Sequence, residues 1–190
     1  YNMMIPHIVK HLPKEQYQEL MKLTKIPLQY STIGLRNWRA VKEAGIGMAM
    51  SPGNMHQAVN MDFPTSMGGY EYTNSPNDPC ILHMRCCLQG DTHGAPAIQQ
   101  FKEARYRMLG KKFSDYEAEI REHLTGMLPK NYFNFDRDVA SITVNRWAHG
   151  YSYGKVSEIG VRPFGKIAIA NSDASGSSLM NRAIEEAWRA

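Results

Sequence analysis

Apolar residues with the period of an α-helix predict three helices before the C-terminal region of this chain. One helix opens at Pro13, a second covers residues 97–109, and a third covers residues 113–128. Ser114 and Glu117 have the S-x-x-E spacing of a capping box, which predicts where the third helix begins.

Runs of β-branched, aromatic and other apolar residues predict strands between and after these helices. Residues 52–79 are rich in Gly, Pro, Asn and Ser and predict a long loop, which in a compact domain is typically functional or a lid. The order of helices and strands predicts an α/β or α+β fold. The predicted strands cover residues 27–38, 44–51, 80–88, 138–147 and 167–170.

The last twenty-six residues predict a geometry suited to a ligand. A short apolar strand, residues 167–170, leads into a polar turn, and apolar residues at helical spacing follow from Leu179. A helix that starts after such a turn offers free backbone N–H groups to an anionic or carbonyl-rich ligand. The alternative is an ordinary strand–turn–helix unit that binds nothing.

Residues 145–153 form a second candidate, because they place two aromatic rings, a histidine and an arginine around one glycine. If the preceding strand continues, the alternate residues Trp147, His149 and Tyr151 point the same way. Such a wall suits a flat apolar ligand. The alternative is that Gly150 breaks the strand and His149 is a structural residue that faces a backbone carbonyl.

Composition and charge argue against a nucleic-acid partner, a membrane span and a metal site. The 190 residues carry a net charge of +4, and the densest basic run, residues 102–112, is interpreted as a solvated helix face. No nucleic-acid motif accompanies that run, so no nucleic-acid partner is predicted. No stretch of about 18 apolar residues is present, so no membrane span is predicted. The three cysteines have neither the spacing of a metal site nor an even number for disulfides, and no metal is predicted.

Two catalytic motifs are incomplete. Gly45 and Gly47 begin a dinucleotide-binding loop, but the third glycine is missing and no helix is predicted after them. Ser172, Asp173 and His149 are the residue types of a serine hydrolase, but the serine is not on a nucleophile elbow.

Two segments together resemble a known family. ITVNRWAHGYSY, residues 142–153, and FGKIAIANSDA, residues 164–174, resemble the C-terminal half of the FAD-dependent amine oxidase superfamily. The chain is most similar to the bacterial spermidine dehydrogenase branch. LPKEQ, KIPLQYSTIGLRNW, DFPTSMGGY and IREHL are similar to the same branch in the same order, so the resemblance covers nearly the whole chain.

The resemblance implies that FAD contacts the C-terminal turn. The sequence ANSD, residues 170–173, matches an Ala-Gly-Thr-Glu segment that meets the ribityl and pyrophosphate groups. The following SLM, residues 178–180, matches a Gly-Tyr-Met segment whose backbone N–H groups cap the flavin pyrimidine. The implied cofactor-binding residues are Asn171, Ser172, Asp173, Ser178, Leu179 and Met180.

The resemblance also implies catalytic roles for Trp147, His149 and Tyr151 as one wall of an amine pocket beside the flavin. Aromatic faces attract a cationic amine. The imidazole of His149, whose ordinary pKa is near 6.5, can take the proton of the amine at neutral pH.

Two departures from the family pattern matter. Many members carry a lysine that holds a water near flavin N5, whereas this chain has Tyr30-Ser31-Thr32-Ile33, which leaves Thr32 to position a water. The G-x-G-x-x-G unit for the ADP half of FAD is also missing. We therefore expect a partner chain or a preceding segment to carry that unit, and this chain to be a natural subunit or a fragment of a longer enzyme.

The implied fold is α/β and has three segments. Residues 1–22 would belong to the FAD domain, residues 23–143 to an α+β substrate-binding domain with a mixed sheet, and residues 144–190 to the C-terminal strand and helix of a Rossmann-like FAD domain. The implied activity is oxidation of an amine, such as the polyamine spermidine, by hydride transfer to FAD. The alternatives are a non-catalytic subunit that retains the flavoprotein fold and a flavin oxidoreductase for a different apolar substrate.

A polyamine needs carboxylates for its distal ammonium groups. Asp62, Glu71 and Asp78 in the long predicted loop are candidates, with a solvated loop charge as the alternative for each. Haem b is associated with this branch, but none of the seven histidines has the spacing of a haem ligand, so none is assigned. The electron acceptor, oxygen or a carrier, stays open, as does a periplasmic or cytoplasmic location in a bacterium.

Overall fold

The structure is a computed structural model that describes residues 1–154 and 156–190. It combines helices with one five-stranded sheet, so the predicted α/β class of fold is confirmed. The strands are β1 (Thr24–Leu35), β2 (Met48–Met50), β3 (Ala58–Met61), β4 (Cys80–Cys87) and β5 (Val139–Tyr153). The α-helices are α1 (Ile5–Ile8), α2 (Lys14–Met21), α3 (Arg39–Ala44), α4 (Ala97–Gly110), α5 (Phe113–Met127), α6 (Phe135–Asp138), α7 (Glu158–Val161) and α8 (Met180–Arg189).

The sheet has the strand order β2-β3-β4-β1-β5. Leu28 to Leu35 of β1 lie opposite Cys87 to Cys80 of β4, and β4 pairs in turn with β3. The pairings β1–β4, β3–β4 and β2–β3 are all antiparallel, where the resemblance implied a mixed sheet. Antiparallel neighbours need no crossover helix, which is why the short connection between β2 and β3 suffices.

The chain divides into two compact units. Unit 1 contains Tyr1–Pro27, Leu88–Arg105 and Ala148–Ala190, and unit 2 contains Leu28–Cys87 and Tyr106–Trp147. The assignment of the chain's segments to a cofactor domain and a substrate domain stays a prediction.

The core of unit 2 follows from the alternation of side chains along β1 and β4. Ile33 and Leu35 of β1 share the buried face of the sheet with Leu82 and Met84 of β4. Ile120 and Leu124 of α5 belong to the same core cluster and are fully buried. Each such side chain contributes about 1.5–3 kcal/mol to stability through removal of its apolar surface from water.

The core of unit 1 is smaller and gathers residues that are distant in sequence. It comprises Leu20, Leu23, Val156, Val161, Ile169 and Ala174. The buried side chain of Gln16 in α2 fixes the chain after α7, because its Nε2 donates to the carbonyl of Arg162 at 2.7 Å. The backbone acceptor satisfies the buried amide nitrogen of Gln16.

The predicted strand over residues 167–170 is wrong. Only an isolated bridge between Phe164 and Ile167 forms there. Ile169 is buried as expected, but its carbonyl accepts from the Arg189 guanidinium at 2.6 Å. The apolar run thus meets the core as a loop, and the C-terminal strand of a Rossmann-like domain is not present in these residues.

Three other local predictions are corrected. The predicted loop over residues 52–79 contains β3, a strand of four residues that is too short for its pattern to stand out. The predicted strand over residues 44–51 begins at the end of α3 and keeps only the three residues of β2. The predicted capping box is wrong, because α5 begins at Phe113 and it is Asp115 that accepts from the Lys112 N–H, at 3.1 Å.

Among the residues that the structure describes, no helix is long and apolar enough to cross a membrane.

Candidate functional site

The predicted aromatic wall lies on β5. The strand continues through Gly150 to Tyr153, so the glycine does not break it. Trp147, His149 and Tyr151 therefore alternate onto one face of the strand, and all three side chains are exposed. Their catalytic role stays a prediction.

His149 lies in a positively charged part of unit 1. Its ring is 5.2 Å from the ring of Tyr1, centre to centre. Arg105 is fixed beside it, because its Nη1 donates to the carbonyl of Ala148 at 2.9 Å. Burial, and then the charges of Arg105 and Lys25, lower the pKa of His149 below its ordinary value. The imidazole is therefore neutral at pH 7 and can accept a proton.

Asp173 is the centre of a buried polar network in unit 1. Its Oδ1 lies 2.9 Å from the Lys25 ammonium and also accepts from the Ser152 hydroxyl. Burial raises the pKa of Asp173, but the hydrogen bonds from Ser152 and Lys25, together with the Lys25 charge, outweigh it and lower the pKa. The carboxylate is ionised and its lone pairs face the protein.

The turn around Asp173 is also held by its own side chains. The Asn171 side chain accepts from the Ala174 N–H at 3.1 Å and donates to Asn2 Oδ1 at 2.7 Å. A short 3₁₀ turn covers Ser172–Ser175, and its C-cap Gly176 has a φ of 71°, a conformation that favours glycine. The side chains of Asn171 and Asp173, which were predicted to bind the cofactor, thus stabilise the turn itself.

The start of α8 differs from this turn. Leu179 is its N-cap, no side chain caps the helix, and Leu179 and Met180 are 55% and 82% exposed. Helix starts carry backbone N–H groups without intrahelical partners, and they favour negative or carbonyl-rich groups.

The flavin fits this site in part. The carbonyl-rich edge of its ring fits the uncapped start of α8 through backbone N–H groups. Asp173 is engaged with Lys25 and Ser152, so it suits a role in positioning the turn rather than in direct contact. Ser178 has a similar role, because its Oγ accepts from the Ser152 N–H at 2.7 Å.

Unit 2 carries a separate polar face on the side of the sheet opposite its core. Tyr30, Thr32 and His83 lie there, with Thr32 opposite His83 and the rings of Tyr30 and His83 at 5.3 Å. His83 Nε2 is 3.0 Å from Asp62 Oδ1. Asp62 is therefore a carboxylate fixed beside a half-buried sheet face, not a solvated loop charge.

The other two loop carboxylates lie elsewhere. Asp78 accepts from the Ser75 N–H at 3.1 Å and so stabilises its own turn, whereas Glu71 is exposed. The three predicted carboxylates thus differ in their surroundings, and Asp62 is the one held beside the half-buried sheet face.

The sequence reasoning missed a buried polar cluster in unit 2. His56 Nε2 lies 2.8 Å from Gln29 Nε2 and 2.9 Å from Ser31 Oγ, and His123 is nearby, with its ring centre 6.5 Å from that of His56. No sequence signal marks this cluster, since His56 lies in a stretch that predicts only loop.

Acid is expected to destabilise unit 2 through His56. Burial, then the His123 and Lys111 charges, lower the pKa of His56 to about 4. The unfolded chain therefore binds a proton between about pH 6.5 and 4 that the folded chain does not. The free energy of unfolding is therefore at its full value above the pKa of His56 in the unfolded chain, about 6.5, and falls by about 3 kcal/mol when the pH is lowered to 4.

This effect is measured by urea unfolding of the parent, His56→Gln and His7→Gln at pH 7 and pH 4. The H56Q variant should lose about 3 kcal/mol less stability between the two values than the parent. The H7Q variant, which removes an exposed histidine, should match the parent. An equal pH dependence in the parent and H56Q would contradict the assignment.

The buried thiols of Cys80 and Cys86 are not candidates for nucleophilic chemistry. Burial is the main cause that raises the pKa of the Cys80 and Cys86 thiols to about 12, so both are protonated and unreactive at pH 7. Within residues 1–154 and 156–190, no three His, Cys, Asp or Glu side chains group as a metal site. His7 and His11 are exposed and His56 is bonded to Gln29, and a haem ligand is not assigned among them.

Comparison with models of protein families finds no match to this chain, and comparison with curated proteins finds none either. The functional interpretation therefore depends on the resemblance of its segments and on the geometry above.

Proposed function

We propose that this chain forms the C-terminal part of a flavin-dependent oxidoreductase that oxidises an amine, with a polyamine such as spermidine as the substrate. The observation that carries the proposal is the position of Ser152. Its N–H donates to Ser178 and its hydroxyl to Asp173, so it joins the two segments on which the resemblance depends. The face of β5 that carries His149 and Tyr151 thus belongs to the same compact unit as the start of α8.

When FAD is bound, it supplies the acceptor for the hydride that leaves the carbon next to the amine nitrogen. The backbone N–H groups at the start of α8 would hold the edge of the flavin ring. Asn171 and Asp173 keep the turn before that helix in place. The ADP half of the cofactor needs a G-x-G-x-x-G unit from another segment or chain, since these 190 residues contain none.

His149 prepares the amine in this proposal. Oxidation requires the neutral amine, because an ammonium nitrogen has no lone pair to stabilise the carbon that loses the hydride. A ring nitrogen of His149 accepts the proton of the ammonium group. The charges of Arg105 and Lys25 lower the pKa of His149, so the imidazolium passes the proton on to water and returns to its neutral form. The exposed ring of Tyr151 supplies a face for the amine.

In unit 2, Asp62 is proposed as a carboxylate that binds an ammonium group. Its side chain is 28% exposed and is held by His83, so it is oriented and still accessible. An ammonium–carboxylate pair recognises charge, so Asp62 suits a cationic ligand better than an apolar one.

The proposal is tested by anaerobic flavin reduction in the enzyme assembled with the half that carries G-x-G-x-x-G. Spermidine should reduce the flavin, whereas fully acetylated spermidine, which has no basic amine, should not. Equal reduction by both compounds would favour a different apolar substrate. A bound flavin that no amine reduces would favour the non-catalytic subunit.

The 190-residue chain alone is expected not to retain FAD. The physical reason is that only contacts to the flavin end are available, and the pyrophosphate has no glycine-rich loop. Gel filtration followed by an absorption spectrum measures this, with the assembled enzyme as the control. Stoichiometric FAD in the isolated chain would contradict the expectation.

A further inference from the structure

Unit 2 contains a cavity of about 480 Å³ whose lining is rich in arginine. We refer to it as the arginine cavity. Its lining residues are Arg36, Asn37, Arg39, Asn131, Tyr132, Arg137 and Asp138. Three guanidinium groups and one carboxylate line this space, which leaves an excess of two positive charges.

Asp138 organises one side of the arginine cavity. It is 2% exposed, and its two oxygens accept from Arg137 Nε at 2.8 Å and Arg137 Nη2 at 2.7 Å. The hydrogen bond from Arg137 is the main cause that lowers the pKa of Asp138 to about 2. Its negative charge is thus present at any physiological pH and is directed at Arg137, whose planar fork is fixed by the pair.

Asp138 also holds two residues near the end of β1, Arg36 and Asn37, in the lining of the cavity. Its Oδ1 accepts from Asn37 Nδ2 at 3.1 Å, and its backbone carbonyl accepts from the Arg36 N–H at 2.8 Å. Arg36, which directly follows β1, is therefore held against Asp138 at the end of α6. This built framework distinguishes the cavity from arginines that are scattered on a surface.

Arg36 and Arg39 supply the charge that remains. In the part of the chain that the structure describes, neither guanidinium has a carboxylate partner or a hydrogen bond. Two unpaired guanidinium groups on one cavity repel each other, and a bound anion removes that repulsion.

We propose that the arginine cavity binds a small phosphate-bearing ligand. Two uncompensated positive charges match the charge of a phosphate dianion. The guanidinium fork matches the spacing of phosphate oxygens, and Asn37, Asn131 and Tyr132 add neutral hydrogen-bonding groups. The cavity volume lies in the range of small-molecule sites. This inference is independent of the amine oxidation proposed above.

The experiment is isothermal titration calorimetry of the 190-residue chain with inorganic phosphate, and separately with succinate, at constant ionic strength. The variants are Arg36→Gln/Arg39→Gln, Arg36→Lys/Arg39→Lys and the control Arg162→Gln/Lys166→Gln. The control removes the same charge from two exposed residues that do not line the cavity. Thermal unfolding without ligand shows whether each variant is folded, which is expected because Arg36 and Arg39 are exposed.

The parent should bind phosphate saturably and more tightly than succinate. The R36Q/R39Q variant should lose at least about tenfold in affinity, because charged hydrogen bonds each contribute about tenfold. The R36K/R39K variant keeps the positive charges but lacks the planar guanidinium fork, so its phosphate affinity should lie between those of the parent and R36Q/R39Q. The control variant should bind phosphate as tightly as the parent. Absence of saturable phosphate binding, tighter binding of succinate, or an equal loss in the control would overturn the proposal.

Discussion

Replacement of Asp173 by alanine is expected to destabilise unit 1 by about 3–5 kcal/mol, because it leaves a buried charge without its partner. The Lys25 side chain is only 15% exposed, and it would lose the carboxylate at 2.9 Å. Ser152 would lose its acceptor in the same step. Urea unfolding of the parent and Asp173→Ala measures the difference.

Asp136→Ala is the matched control for this prediction. It also removes an aspartate from an ion pair, at 2.8 Å from Arg121, but its side chain is 75% exposed. Exposed pairs contribute about 0–1 kcal/mol, so the D136A variant should unfold almost like the parent. Equal losses in D173A and D136A would show that Asp173 does not hold the turn.

The same substitution tests the proposed cofactor site. In the assembled enzyme, D173A should weaken FAD retention more than it raises the KM for the amine, because the turn that it supports leads into the start of α8. The opposite pattern would place this turn at the substrate.

Replacement of His149 by glutamine is expected to lower the rate of flavin reduction at pH 7 by about tenfold or more, since general bases contribute at least that much. The loss should shrink at high pH, where the amine is already neutral, so the pH optimum moves upward. Burial and the nearby charges lower the pKa of His149, so the parent profile should not fall until the pH is below the ordinary histidine range. Rapid-mixing reduction across pH measures both effects.

Trp147→Leu is expected to act on binding rather than on the proton. Loss of one aromatic face should raise the KM about 2- to 30-fold, the equivalent of a cation–π contact of about 0.5–2 kcal/mol. His7→Gln, at an exposed histidine outside β5, is the control for both variants. If H149Q and W147L keep the parent rate and pH profile, the amine binds elsewhere.

Local periodicity determined the long helices. α4 and α5 lie within one residue of the predicted ranges 97–109 and 113–128, because their apolar faces repeat over several turns. The predicted strand over residues 80–88 likewise agrees with β4, in which alternate residues from Cys80 are buried. The predicted strand over residues 138–147 forms the first part of β5, whereas the sequence left open whether Gly150 would break it, and the structure shows that β5 continues to Tyr153.

The tertiary structure decided what short apolar runs become. Residues 167–170 have the composition of a strand but find no neighbouring strand to extend their single bridge, and the Arg189 side chain satisfies the Ile169 carbonyl instead. β3 is a strand because β4 lies beside it, with Val59 opposite Met84, although its four residues stand in a stretch rich in loop formers. A backbone hydrogen bond between strands depends on a partner that no local pattern specifies.

The candidate sites divide in the same way. The residue types of the wall on β5 and of the turn before α8 could be chosen from the sequence, because aromatic, imidazole and Asx residues near a glycine indicate binding chemistry. The roles of these residues in the fold could not be predicted from the sequence. The ion pair of Asp173 with Lys25, for example, joins residues almost 150 positions apart in the chain. The His56 cluster and the arginine cavity likewise depend on side chains that only the folded chain brings together, because desolvation and ion pairing act through space and not along the sequence.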